Sequence, residues 1–208
     1  MSKGIFITVE GGDGVGKSTQ LQFIRDYFEE RGEHAIFTRE PGGTPISEKI
    51  RAIILDKNNE EMGALTEMLL YAASRAQLVE QLIGPALSRG KVVVCDRFAD
   101  SSIAYQGYGR GLGESVSVVN GYAIGEYIPD ITFLLKLDPE KCVPRLKKER
   151  DRLESETLEF HRAVYRGYLE LEKKFPDRIV GIDASGTIDQ VSMQIEEHLD
   201  RLMNERKK

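Results

Sequence analysis

Ile5-Phe6-Ile7-Thr8-Val9-Glu10-Gly11-Gly12-Asp13-Gly14-Val15-Gly16-Lys17-Ser18-Thr19 is the stretch on which the fold turns. It opens with an apolar run rich in β-branched and aromatic residues, the composition of a buried strand. It then becomes glycine at 11, 12, 14 and 16, and a helical pattern follows with Leu21, Ile24 and Phe28 on one face. The turn from Gly11 to Ser18 reads G-x-x-x-x-G-K-[ST] between a strand and a helix. Backbone N–H groups ring a phosphate only where no Cβ blocks their approach and positive φ is cheap, which explains the glycines. The helix start adds unpaired N–H groups and the positive end of its dipole. Lys17 is placed to reach β- and γ-phosphates, and the Ser18 hydroxyl to ligate Mg²⁺.

Outward from this loop, strands and helices alternate. Helix is expected over about 17–31, ended by Gly32. A short strand at 35–38 runs into the turn-rich Arg39-Glu40-Pro41-Gly42-Gly43-Thr44, followed by a helix at 47–55. A long helix over about 65–88 carries the apolar stripe Leu65, Leu69, Ala72, Ala76, Val79 and Ile83, with Gly84-Pro85 bending it. Val92-Val93-Val94-Cys95 reads as an interior parallel strand, with Asp96-Arg97 at its carboxyl end. One or two helical turns at 100–106, a glycine-rich loop at 107–113 and a helix at 114–124 precede a strand at 131–137. Pro139 opens a further helix. Residues 141–156 are dense in charge. A helix at 157–175, with Leu158, His161, Tyr165, Tyr168 and Leu171 or Leu169 inward, a strand at 178–182 and a helix at 188–202 complete the chain. Five strands alternating with helices give an α/β fold with a parallel sheet flanked by helices on both faces. Ligands bind such sheets at the carboxyl ends of the strands, which gathers Gly11–Ser18, Arg39–Thr44 and Asp96–Arg97 at one edge.

The bulk properties agree with one domain spanning 1–208. The 208 residues are 40% hydrophobic and 30% charged, and the net charge of −5 argues against non-specific nucleic-acid binding. No apolar run approaches a membrane span. Cys95 and Cys142 lack metal-site spacing, and a reducing cytoplasm is the expected compartment. The scattered His34, His161 and His198 read as structural or surface residues.

The phosphate loop alone does not choose among kinase, GTPase and motor. Arg39, Arg51, Arg75 and Arg97 converging on one edge suggest an anionic second substrate, because guanidinium matches phosphate bidentately. Together, Glu10–Thr19, Arg39–Thr44, Tyr71-Ala-Ala-Ser-Arg75, Asp96-Arg-Phe98, Ser101-Ser-Ile-Ala-Tyr-Gln-Gly107 and Asp151-Arg-Leu-Glu154 resemble the thymidylate kinases, nucleoside monophosphate kinases of the P-loop NTPase fold. The resemblance implies ATP and Mg²⁺, dTMP as acceptor, an acceptor region over about 39–107, a mobile lid over about 141–156 and a homodimer.

It also implies roles at matching positions. Gly11, Gly12, Asp13, Gly14, Val15, Gly16, Lys17, Ser18 and Thr19 would hold the donor, and Ser18 and Asp96 the metal. Asp13 would contact the deoxyribose 3′-OH. Tyr71 would stack on thymine, Arg75 would reach its O4, and Ser101 and Ser102 would line the base pocket. Tyr105 would fill the place of a ribose 2′-OH. Arg51 and Arg97 would hold the 5′-phosphate, and Arg39 would be a further substrate-binding residue. The loop itself carries no arginine, so catalytic cations fall to the lid, where Arg145, Lys147, Lys148, Arg150 and Arg152 are available. Arg150 is the first choice and Lys147 the second. With Lys17, Arg97 and Asp13 it makes the catalytic set. The helices at 65–88 and 114–124 offer Val116, Val119, Tyr122 and Ala123 to a dimer or to the core.

Two alternatives stand beside this one. A kinase for another small acceptor shares the loop. The other is a nucleotide switch or partition-type ATPase acting through a partner; such ATPases often have a lysine early in the loop, where this chain has Gly12, and no guanine-reading Asn-Lys-x-Asp segment is present.

Overall fold

The structure, a computed structural model, describes residues 4–142 and 151–206. Among these, five strands form one parallel sheet: β1 (Ile5–Glu10), β2 (Ala35–Arg39), β3 (Val92–Asp96), β4 (Ile131–Lys136) and β5 (Ile179–Asp183), in the order β2-β3-β1-β4-β5. The three inner strands β1, β3 and β4 are covered on both faces, while the edge strands β2 and β5 are only partly buried. Ile7, Val9, Val94 and Phe133 join Ile24 and Phe28 of α1 (Lys17–Glu30) and Ile195 and Leu199 of α9 (Ile188–Arg206) on one side. Phe6, Val93 and Cys95 join Leu78 and Ile83 on the other.

The strand ends that face the site are level. Val9 of β1 and Arg39 of β2 both pair in register with Asp96 of β3. The segments leaving these three strands therefore emerge side by side, as the parallel-sheet reading requires. Local signals set the helix starts. Thr44 caps α2 (Pro45–Leu55) by accepting from the Ser47 N–H at 3.3 Å, with Pro45 in the first turn. Thr157 caps α8 (Leu158–Lys174) by accepting from the Phe160 N–H at 3.2 Å.

The long helix departs from expectation in two ways. It is divided into α3 (Ala64–Leu78), a π-helical turn Val79–Ile83 and α4 (Gly84–Ser88). Pro85 has no N–H for a helical bond, and the Gly84 N–H reaches back five residues to Val79 O, so a widened turn absorbs the defect. The inward face also differs. Leu65 is 59% exposed and Leu69 is exposed, while Glu67, Met68, Ser74 and Arg75 are buried with Ala72 and Leu78. α3 turns toward a polar cavity, where mutually paired polar groups outcompete leucine. The glycine-rich loop after α5 (Ala99–Ser102) begins later than expected, because a π-helical turn continues from Ile103 to Gly109. α6 (Ser115–Ile124) and α7 (Pro139–Cys142) match their expected starts within a residue. In α8 the inward residues are Phe160, His161, Val164, Gly167, Tyr168 and Leu171, which settles Leu171 over Leu169. Tyr165 and Leu158 are only half-buried there.

Candidate active site

The phosphate loop leaves β1 at Gly11, whose φ of 137° and approach to β4 exclude a side chain. A Cβ there would lie 2.6 Å from Leu135 O. Gly16, at φ 106°, turns the chain into α1 without a side-chain cap, leaving the helix-start N–H groups to a ligand. Lys17 Nζ donates to Gly11 O at 3.0 Å and Gly12 O at 2.8 Å. Burial first, and the nearby Arg97 charge second, pull the Lys17 amine down to about 8, against Asp13, Asp96 and Glu10. Ser18 and Thr19 are exposed on the first turn.

Arg97 follows β3 with φ 67°, a left-handed conformation that costs a non-glycine residue roughly 1–2 kcal/mol. Its N–H is held by Val9 O at 3.0 Å, and its guanidinium fans across the site. Nη1 donates to Gly11 O at 3.0 Å and to Ser101 Oγ at 3.2 Å. Nη2 pairs with Asp13 and donates to Tyr105 OH at 3.3 Å. Tyr105 in turn donates to Asp13 Oδ2 at 2.7 Å. Burial alone would raise the Asp13 carboxyl, but the Arg97 and Lys17 charges and the Tyr105 bond hold it below the ordinary range.

These residues line a cavity of about 560 Å³, within the range of small-molecule sites. Asp13, Lys17, Ser18, Arg39, Arg51, Tyr71, Arg75, Asp96, Arg97, Ser101, Ser102 and Tyr105 all contribute to its wall. The guanidinium groups of 51 and 97 thus share one cavity with the glycine loop. Their neighbours inside the protein differ. Arg39 is held in a fork by Glu48 at 3.0 and 3.1 Å. Arg51 donates to Pro41 O at 2.7 Å. Arg75, 1% exposed, has its donors engaged: Nε on Glu40 at 2.7 Å, Nη1 on Ser102 at 3.0 Å and on Asn120, Nη2 on Phe98 O at 3.0 Å. Ser102 Oγ accepts that bond, and its own proton stays available for a further bond. Ser101 Oγ donates to Glu10 Oε2 at 2.5 Å. Tyr71 lines the cavity, and burial raises its hydroxyl pKa.

Sequence reasoning missed the supports. Glu10, wholly buried, accepts from the Phe98 N–H at 2.7 Å, the Ser101 N–H at 3.3 Å and the Tyr168 hydroxyl at 2.8 Å. It pins the Arg97–Ser101 turn to β1, and burial followed by the Asp100 charge raises its carboxyl pKa. An acidic residue closing a buried strand is the sequence signal that could have found it. Glu40 and Gln106 also line the cavity. His161 is buried near the loop, with Nε2 unpartnered among the described residues. Arg145, Lys147, Lys148 and Arg150 lie outside the described residues. Arg152, the remaining lid cation, pairs with Glu67 at 2.6 Å instead of facing the phosphate loop.

A hard cation fits this donor set. Asp96 Oδ1 is buried and without a hydrogen-bond partner among the described residues, and Asp96 and the exposed Ser18 both line the cavity. No cluster of three or more metal-ligating side chains occurs among the described residues. Mg²⁺ does not need one, since it keeps waters and substrate phosphates around one or two protein oxygens. No described helix is long and apolar enough to cross a membrane.

Comparison with known proteins gives one answer. The family described as thymidylate kinase matches residues 9–195. A thymidylate kinase of Thermoanaerobacter sp. (strain X514) is 50% identical over 195 residues, 93% of this chain and 96% of that one. The Lactobacillus helveticus (strain DPC 4571) thymidylate kinase is 48% identical over 209 residues, 98% of this chain and 99% of that one. The crystal structure of the thymidylate kinase from Ehrlichia chaffeensis superposes with a TM-score of 0.79 at 33% identity, covering 95% of this chain and 99% of that chain. With a glycine loop, a ring of arginines and a cavity shared between them on a P-loop NTPase sheet, the chain belongs to the thymidylate kinase family.

Proposed function

We propose that the chain transfers the γ-phosphoryl group of ATP to the 5′-phosphate of dTMP, giving dTDP and ADP. The observation that carries this reading is the shared cavity, in which the glycine loop with Lys17 meets Arg51 and Arg97 beside an aromatic wall. The acceptor is a phosphate oxygen, anionic near neutral pH, so no protein base is required. The barrier is the approach of one anion to another, and catalysis is positioning plus fixed positive charge.

Backbone N–H groups of Gly11–Ser18 and the Lys17 amine hold the donor's phosphates. Arg97, anchored at its backbone and by Asp13, holds the acceptor phosphate in line, with Arg51 on its outer side. Asp13 and Tyr105 receive the deoxyribose, and Tyr71 stacks on the base. The Ser102 hydroxyl supplies a donor to a base carbonyl. Arg75 reads thymine O4 only by surrendering one of its present partners, so its first role is to fix the cavity wall. Ser18 and Asp96 would hold Mg²⁺, which would supply positive charge against the donor's phosphates. Arg150 is the candidate for a further cation at the transferred group.

A homodimer through α3 and α6 is also proposed. The two helices pack side by side and together expose Leu65, Leu69, Val118 and Tyr122, the last 88% exposed. Val116, offered above to either role, is fully buried core.

A coupled assay of ADP release with ATP, Mg²⁺ and a panel of monophosphates tests the reaction. dTMP is expected to be the best acceptor. Lys17→Ala and Arg97→Ala are each expected to lose over roughly two orders of magnitude in turnover, the scale of removing one charge-stabilising donor. Indifference to dTMP refutes the proposal. Weak turnover of dUMP does not, since one methyl group is worth only about 1–3 kcal/mol.

A further inference from the structure

Glu67 stands on the inward face of α3 with none of its side chain exposed. Three hydrogen-bond donors and a second guanidinium, ion-paired without hydrogen-bond geometry, converge on it. Oε1 accepts from Gln106 Nε2 at 2.9 Å and from Arg110 Nε at 3.2 Å. Oε2 accepts from Arg110 Nη2 at 3.1 Å and pairs with Arg152 Nη2 at 2.6 Å. Those two arginines have second partners. Arg152 Nε donates to Ile54 O at 3.0 Å, closing the end of α2. Arg110 Nη1 pairs with Glu156 at 2.5 Å. Both second links end on, or start from, residues 151–156.

That segment has local order of its own. Asp151 Oδ1 accepts from the Leu153 N–H at 2.9 Å and the Glu154 N–H at 2.8 Å, and Leu153 is buried in the cluster containing Tyr105 and Phe160. Asp151, Leu153 and Glu154 line the same cavity as Tyr71, which lies one helical turn beyond Glu67 on α3. A buried carboxylate with two cations is an expensive way to hold a helix in place, and an apolar residue of like volume does that as well or better. What an apolar residue cannot do is fix the direction of two arginines that come from different segments.

We propose that Glu67 is a positioning residue that, through Arg152 and Arg110, holds residues 151–156 as one wall of the acceptor cavity. Burial pushes the Glu67 carboxyl up, but its bonds to Arg110, Gln106 and Arg152 prevail and keep it below the usual range, consistent with a permanent anion. The consequence for catalysis rests on the dTMP-kinase reading; the latch itself does not.

Two variants, Arg152→Met and Glu67→Gln, are compared with the parent chain in two measurements. Hydrogen exchange of the Leu153 and Glu154 amides, without nucleotide, reads the latch. It is expected to quicken about tenfold or more in both variants while the β1 amides hold their rates. Unchanged exchange at 153 and 154 overturns the proposal. Steady-state kinetics read the consequence: the KM for dTMP is expected to rise about tenfold, with the KM for ATP within about twofold. A fall in kcat with both KM values unchanged, the mark of a smaller folded fraction, also overturns it. A parent chain that ignores dTMP yet shows the exchange difference refutes the substrate and supports the latch. Arg152→Lys, which restores the charge, is expected to recover part of both effects.

Discussion

The Tyr105 hydroxyl donates to the Asp13 carboxylate at 2.7 Å, tying a side chain of the π-helical turn to the phosphate loop across 92 residues of sequence. Each group also contacts Arg97, so the three form one unit at the junction of donor and acceptor. Tyr105→Phe removes the bond and keeps the ring. A hydrogen bond to a charged group contributes about 1.5–3 kcal/mol, so kcat/KM for dTMP is expected to fall about tenfold or somewhat more. The preference for dTMP over its ribose counterpart is expected to persist, because the ring's bulk remains. Competition assays with the two nucleotides check both statements.

The Lys17 amine, pulled down to about 8 by burial and Arg97, is largely neutral in the ATP-free protein well above that pH. A polyphosphate at the loop favours the charged form and raises the pKa. By linkage, ATP binding takes up a proton above about pH 8 and little below about pH 7, and affinity declines as pH rises through that region. Calorimetry in buffers of different ionisation heat, at about pH 9, is expected to read most of one proton per ATP. Lys17→Met is expected to abolish that uptake.

Asp96 offers a buried oxygen with no hydrogen-bond partner among the described residues. Asp96→Asn is expected to raise the Mg²⁺ concentration for half-maximal activity by about tenfold or more, the scale reported for support groups around metals. Chelation with EDTA is expected to abolish turnover, and added Mg²⁺ to restore it. An unshifted Mg²⁺ requirement in the variant removes Asp96 from the metal site.

Tyr122→Glu places a charge on the exposed α3–α6 surface, where Tyr122 is 88% exposed. Light scattering is expected to show the parent chain at twice its chain mass and the variant at one. A parent chain that scatters as a monomer refutes the dimer.

The phosphate loop was legible because its logic is local: strand, glycines, lysine and helix lie within 15 residues and each explains the next. The sheet followed from alternation, since Val92-Val93-Val94-Cys95 is apolar on both pleat faces. The inward face of α3 was misread for a clear reason. Helical periodicity finds the apolar stripe, and this helix buries Glu67 and Arg75 because their partners, Arg110, Arg152 and Glu40, come from elsewhere. Glu10 escaped notice likewise, as its Tyr168 partner lies 158 residues away. The resemblance brought Arg51, Tyr71 and Arg97 to one cavity, but gave no hint that Arg75 would be so fully engaged with the protein.

The strand order has a bearing on how the molecule is made. β3 lies between β1 and β2, so the first two strands to leave the ribosome have no contact with each other in the sheet. A nascent chain truncated before Val92 carries two isolated apolar strands with unpaired edges, and a glycine loop without Arg97 to brace it. Ordering of the nucleotide site therefore waits until nearly half of the polypeptide has been synthesised, and holdase chaperones have their best target before that point.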